Sequence, residues 1–201
     1  PNPLQSGGGF AASQIKLTTA QFNAIVTPGT PEFNAMILDL DRHTDYLGQL
    51  AALNIPVLWR PLHEIDAGWF WWNDGNNPAN TAELWRIVYD YLVTVRGFHN
   101  LIWVDSAAQV QAANDNLAFR QQFYPGAQYV DIAGIDLYNM DYQNTGLQGT
   151  SSTRSYKQAF DLMAQVCPGK MLALTECEAL PNPDKMENND PNFARWLYAM
   201  P

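Results

Sequence analysis

The stretch Ile55–Trp72, IPVLWRPLHEIDAGWFWW, decides how the rest of the chain is read. Its first half, Ile55 to Leu62, is a short apolar run with Val and Ile, the composition of a buried strand. Arg60, His63 and Glu64 stand at its end, and Trp69, Phe70, Trp71 and Trp72 follow at once. A carboxyl group beside apolar rings is held partly out of water, which raises its pKa and keeps it protonated near neutrality. Flat indole faces also suit the apolar C–H faces of sugar rings. An acid at a strand tip beneath tryptophans therefore points to chemistry on sugars. The plainer reading is a solvated loop glutamate beside a tryptophan core, and this stretch alone does not choose between them.

Composition narrows the field. The chain has 201 residues, 47% hydrophobic and 15% charged, enough for one globular domain with a sizeable core. No apolar run approaches the ~20 residues of a membrane span. Net charge is −9, from 20 acids against 11 bases. Nucleic acid is a poor partner for such a surface, because phosphate contacts need clustered lysine and arginine. A neutral polymer suits it well, and seven tryptophans are compatible with carbohydrate binding. Cys167 and Cys177 flank a strand that would hold them more than ~20 Å apart, too far for a disulfide.

Outward from the central stretch, helical and strand patterns alternate. Pro1 to Gly29 reads as loop with a weak helical patch at Thr19–Ile25. A helix runs from Pro31, capped by Thr30, to about Leu53, and Asn54 ends it. After the turn-rich Asp74–Ala79, Asn80 and Glu83 form a capping-box pair opening a helix through Val95, closed by Gly97. A strand at Leu101–Val104 ends on Asp105, and a helical patch follows at Asn116–Phe123. The strand Tyr129–Leu137 carries Asp136 and Tyr138 at its end. Helix Arg154–Val166, strand Met171–Thr175 ending on Glu176, and a last helix Asn192–Met200 capped by Asp190-Pro191 complete the chain. Such alternation means parallel strands covered by helices, in an open sheet or a barrel. All four strands end on polar groups, and only in a barrel do such tips converge on one mouth.

Two glutamates at strand tips, Glu64 and Glu176, are the parts that glycoside hydrolysis needs. Arg60-Pro61-Leu62-His63-Glu64, followed five residues later by Trp69-Phe70-Trp71-Trp72, resembles the acid/base signature of glycoside hydrolase family 26. The likeness extends to Asn100–Val104 (NLIWV), Gly134–Tyr138 (GIDLY) and Leu174-Thr175-Glu176. Members of that family are mostly endo-β-1,4-mannanases, with some β-glucanases and β-1,3-xylanases. The resemblance implies a secreted, retaining, cofactor-free and metal-free enzyme on a (β/α)₈ TIM barrel, monomeric at full length. Its substrate would be mannan, galactomannan or glucomannan. Glu64 would be the general acid/base and Glu176 the nucleophile. Substrate contacts would come from Arg60, His63, Trp69, Trp72, Asp136 and Tyr138, with Tyr138 also bonding the nucleophile and Trp71 serving the core. The sequence departs from the family pattern at Ile65-Asp66-Ala67, where Met-Asn-Gly is common, and at Cys177-Glu178, where Phe or Tyr then Gly is common. Asp66 would add charge near Glu64, and Glu178 is a rival nucleophile.

Two other classes compete. A metal site could use His63, Glu64 and Asp66, but no second histidine lies at helical spacing. A non-catalytic carbohydrate-binding module would be a β-sandwich, without helical alternation. A complete barrel needs eight strands and ~250 residues, whereas four strands are legible. Compared with the family, Pro1-Asn2-Pro3 resembles the loop after the third strand and Trp196–Pro201 the end of the seventh helix. Residues 1–201 are thus expected to be one partial catalytic domain, strands four to seven of an incomplete barrel. As a gene fragment with open strand edges it would be poorly soluble and nearly inactive by itself.

Overall fold

The computed structural model describes residues 2–5, 9–138, 155–178, 180–186 and 193–201. Contacts divide the chain into two compact units, Pro1–Trp59 with Gly68–Ile102, and Arg60–Ala67 with Trp103–Pro201.

The first unit holds helices α1 (Phe10–Ser13), α2 (Thr19–Ile25), α3 (Pro31–Ala52) and α4 (Pro78–Asp90), strand β1 (Val57–Trp59) and the first residues of β2 (Leu101–Ala107). Helix α3 forms where its sequence signals lie. Pro31 occupies the first turn, and the Thr30 hydroxyl accepts the Phe33 N–H at 3.1 Å. Helix α2 packs on α3 and α4. Phe22, Ile25, Leu84, Trp85 and Leu92 are almost wholly buried, each worth about 1.5–3 kcal/mol of apolar transfer. Helix α4 runs on as a π-helical turn, Tyr91–Val95, and ends at Gly97, whose φ of 72° is the left-handed conformation that glycine tolerates. Its start differs from the capping box expected at Asn80 and Glu83. Pro78 opens the helix, Asn80 donates to Asn23 and Asp74, and Glu83 pairs with Arg86.

Strand β1 is shorter than the run Ile55–Leu62 and is not buried, since Leu58 is 53% exposed. Pro56 and Pro61 bracket it, and neither has an N–H for a ladder. The strand order is β1-β2-β3-β4, in chain order.

The second unit is built on the rest of β2, with β3 (Ile132–Leu137) and β4 (Met171–Cys177), all parallel. It also holds α5 (Leu117–Gln121) and α6 (Tyr156–Val166). Tyr156, Ala159, Leu162, Met163 and Val166 of α6 pack with Ala133, Ile135, Leu172 and Leu174, the spacing of one helix face over alternate strand positions. The Ser155 hydroxyl and the Gln158 side chain close a reciprocal cap at the start of α6.

The expected last helix is absent from Phe193 to Met200. That segment runs extended beside β4, with Leu197 N–H donating to Leu172 O at 2.7 Å, Leu174 N–H to Tyr198 O at 2.9 Å and Met200 N–H to Leu174 O at 3.1 Å. A parallel bridge pairs Leu174 with Ala199. The expected caps Asp190 and Pro191, Asn192, and Arg154 of the α6 expectation lie outside the described residues. Cys167 and Cys177 are both free and buried, as their spacing requires. Among the described residues no helix is long and apolar enough to cross a membrane.

Candidate active site

Residues of three strands converge on one face of the second unit. In register, Ser106 lies opposite Gly134 and Gly134 opposite Ala173, but beyond that point β4 carries an extra residue. Ile135 pairs with Leu174, whereas Asp136 pairs with Glu176, so Thr175 is the bulged residue. Thr175 and Glu176 thereby both reach the Asp136 side of the sheet. The Thr175 hydroxyl donates to Asp136 Oδ1 at 2.6 Å, and Ser106 donates to the same oxygen at 2.9 Å. Only a glycine fits at 134, because a Cβ there would stand 2.2 Å from Thr175 Cγ2.

Arg60 ties this cluster together. Its Nη1 donates to Asp136 Oδ2 at 3.3 Å, and its Nη2 forms a short ion pair with Glu176 Oε1. Tyr138 donates a short hydrogen bond to Glu176 Oε2. Burial alone would raise the Glu176 pKa, but the hydrogen bonds from Tyr138 and Arg60, with the Arg60 charge, hold it below the usual carboxylate range. Asp136 goes the other way. Its complete burial pushes it up to about 7, and the charge of Glu176 adds to that against its Thr175, Arg60 and Ser106 partners. At neutral pH the negative charge of this pair therefore concentrates on Glu176. Burial, then the Arg60 charge, lower the His63 pKa and leave its imidazole neutral.

Glu64 lies on the turn after β1 and is 9% exposed. Leu62 and Glu64 both have left-handed backbones, with φ of 50° and 52°. For residues with a Cβ such a conformation costs about 1–3 kcal/mol and persists only where surrounding contacts impose it. Here Ile65 N–H donates to Ser106 O and Ala67 N–H to Glu64 O, each at 2.9 Å. Burial and the Glu176 hydrogen bond raise the Tyr138 pKa, and the charges of Glu176, Asp136 and Glu64 all add to the rise.

The other expected positions divide. Trp69 is 39% exposed, its ring edge-on to Phe70. Trp72, expected to contact substrate, is instead a core residue. It is 7% exposed and stacked on Phe70 with ring centroids 4.3 Å apart, and Trp71 meets it edge-on. Asp105 does not join the cluster, because it sits inside β2 with its side chain on the opposite face from Ser106. Its burial, with the charge of Asp66, pushes it up to about 7. Asp66 is also turned away from the metal-ligand role once open to it, and is buried against Arg120. Glu178 lies past the last residue of β4.

Ser106, Thr175 and Arg120 were not singled out from sequence. The one visible signal was Gly134 in the middle of a strand, which marks a close approach or a bulge nearby.

The sequence model of glycosyl hydrolase family 26 matches residues 1–199. The chain belongs to that family. It is 36% identical over 183 residues to mannan endo-1,4-beta-mannosidase B of Piromyces sp, a match covering 91% of this chain and 27% of that protein. It is 35% identical over 147 residues to a mannan endo-1,4-beta-mannosidase of Bacillus subtilis (strain 168), covering 70% of this chain and 38% of that protein. A β-mannanase from a symbiotic protist of the termite Reticulitermes speratus, solved with gluco-manno-oligosaccharide, superposes with a TM-score of 0.71 at 29% identity. That match covers 94% of this chain and 51% of the other. The chain thus spans about half of that solved structure and less than two fifths of these curated relatives. Among the described residues, four parallel strands in chain order with intervening helices make it α/β, part of a (β/α)₈ barrel.

Proposed function

We propose that this family 26 chain carries the catalytic centre of a retaining endo-β-1,4-mannanase, with residues 1–201 a partial catalytic domain. The reading rests on one observation above the others. Glu176 is held ionised by Tyr138 and Arg60, while a second carboxyl group, Glu64, stands nearly buried on the left-handed turn that follows Arg60.

In this reading Glu176 attacks the anomeric carbon while Glu64 delivers its proton to the departing glycosidic oxygen. A covalent glycosyl–Glu176 ester results, together with a shortened chain bearing a new hydroxyl. Glu64, now a carboxylate, removes a proton from water, which displaces Glu176 and regenerates both groups. Tyr138 and Arg60 keep the nucleophile charged and aimed between turnovers. Neutral His63 orients sugar hydroxyls, and the exposed ring of Trp69 is the candidate sugar platform. Asp136 acts through Arg60 and not on the sugar. Mannan as substrate follows the named activities of the relatives, and so polymeric a substrate implies a secreted protein.

A 2-deoxy-2-fluoro mannoside with a good leaving group should label the full-length protein at Glu176. Label on Glu178, or on no carboxylate, would overturn the assignment. Digestion of a panel of mannan, mixed-linkage glucan and β-1,3-xylan should release manno-oligosaccharides fastest, and preferred cleavage of either other polymer would reassign the substrate. Activity should appear in the culture medium of the source organism, and its confinement to cells would refute secretion.

A further inference from the structure

The turn bearing Glu64 is gripped from behind by a buried charge pair. Asp66 Oδ2 accepts from Arg120 Nη1 at 2.7 Å, and its Oδ1 accepts the Ala108 N–H at 2.7 Å. Arg120 comes from α5 and has other partners as well. Its Nε and Nη2 donate to Asp115 Oδ1 at 3.2 and 2.8 Å, and Nη2 also donates to Ala108 O at 3.1 Å. Both side chains are 2% exposed or less. Arg120 and Asp66 therefore hold the residues after β2 and the turn after β1 in one fixed relation, with Ala108 clasped through both its N–H and its carbonyl.

That grip lies two residues from Glu64, which itself adopts a backbone conformation unfavourable to a residue with a Cβ. Left alone, the Glu64 backbone would relax to negative φ and swing its carboxyl away. The hydrogen bond from Ile65 N–H to Ser106 O fixes the turn at one point. A second point is needed to fix its rotation, and Asp66 provides it. We infer that Asp66 and Arg120 are positioning residues for Glu64, clamping its turn so that the carboxyl meets the glycosidic oxygen. The inference rests on the reading of Glu64 as the general acid/base.

Asp66→Asn is the informative variant. It keeps the acceptor for Ala108 N–H and the side-chain volume but removes the charge that holds Arg120. Because a broken buried pair can unfold a protein, the double variant Asp66→Asn/Arg120→Gln, a neutral hydrogen-bonding pair, is measured beside it. Both are made in the full-length protein, with Glu64→Ala as the reference. Loss of acid positioning should reduce kcat on mannan roughly tenfold to hundredfold. It should leave the first step on a dinitrophenyl mannoside within about threefold of wild type, because that leaving group needs no proton. A general loss of structure would instead lower both substrates together.

If Glu64→Ala itself lowers both substrates equally, the acid/base reading fails and the clamp with it. If Glu64→Ala separates the substrates but neither Asp66 variant does, the clamp alone is overturned. Separation by Asp66→Asn, or by the double variant where the single one melts early, carries the inference.

Discussion

Arg60 binds two carboxylates with one planar fork, and their surroundings decide which of them carries charge. Asp136 is sealed from water, and that burial outweighs the two hydroxyl donors and the Arg60 charge, so it rises to about 7. Glu176 is partly solvated and takes Tyr138 as well as the guanidinium, so it falls. Arg-to-Lys exchange would not reproduce this, since an ammonium cannot offer parallel donors to two acceptors in fixed directions. Tyr138→Phe tests the arrangement. Without the phenol the Glu176 pKa rises, so the acid limb of kcat/KM should move to higher pH. The maximal rate should fall on the order of tenfold to hundredfold. An acid limb unmoved in the variant would mean that another group sets it. His63, Glu64 and Tyr138 could be put forward as site residues from the sequence because their motif spacing is local. The charge state of Asp136 could not be read there, because burial and partners on other strands set it.

At the scale of the element, the bulge in β4 does most to shape the site. Without the extra residue, strict alternation would send either Thr175 or Glu176 to the far face. Gly134 makes room for it, which gives a direct test. Gly134→Ala should destabilise the chain by about 1–3 kcal/mol, read as a lower urea midpoint, through a forced shift of Thr175. An unchanged midpoint would show that Thr175 moves freely and that the bulge is not held by close packing. Helix α3 and the segment after Asn192 show opposite fates for similar patterns. In α3 the Thr30 cap, the first-turn proline and 22 residues of amphipathic spacing all agree. Phe193, Trp196, Leu197 and Met200 also have helical spacing, yet they run extended. The exposed amides and carbonyls of β4 offer partners that periodicity does not record. Trp72 shows the same limit, since a tryptophan run does not reveal which ring Phe70 will cover.

For the whole molecule, pH dependence of stability follows from the buried acids. Burial pushes Asp105 from an ordinary value near 3.8 up to about 7. Between those values the folded chain binds a proton that the unfolded chain has released. Stability should therefore be greatest below about pH 4, as far as this group is concerned, and decline until the pH passes 7. Asp105→Asn fixes the neutral state, so the drop in urea stability between pH 5 and pH 8 should shrink, by an amount on the order of 1–4 kcal/mol. Asp136 titrates over the same window and will leave a residual drop. An unaltered pH profile in the variant would show that Asp105 is ionised in the fold.

The sequence by itself determined the class of the molecule: helix and strand alternate, the polar groups stand at strand ends, and the RPLHE and WFWW motifs carry the family. These are local properties, set by spacings of two to five residues and by turn chemistry, and no distant partner is needed to express them. Only the tertiary structure decided that Thr175 bulges, that Asp136 rather than Glu176 gives up its charge, that Asp66 pairs with Arg120, and that the segment after Asn192 is extended. Each of those outcomes depends on groups far apart in the chain. Burial and hydrogen bonding there are set by what the fold brings alongside, and a linear pattern carries no record of it.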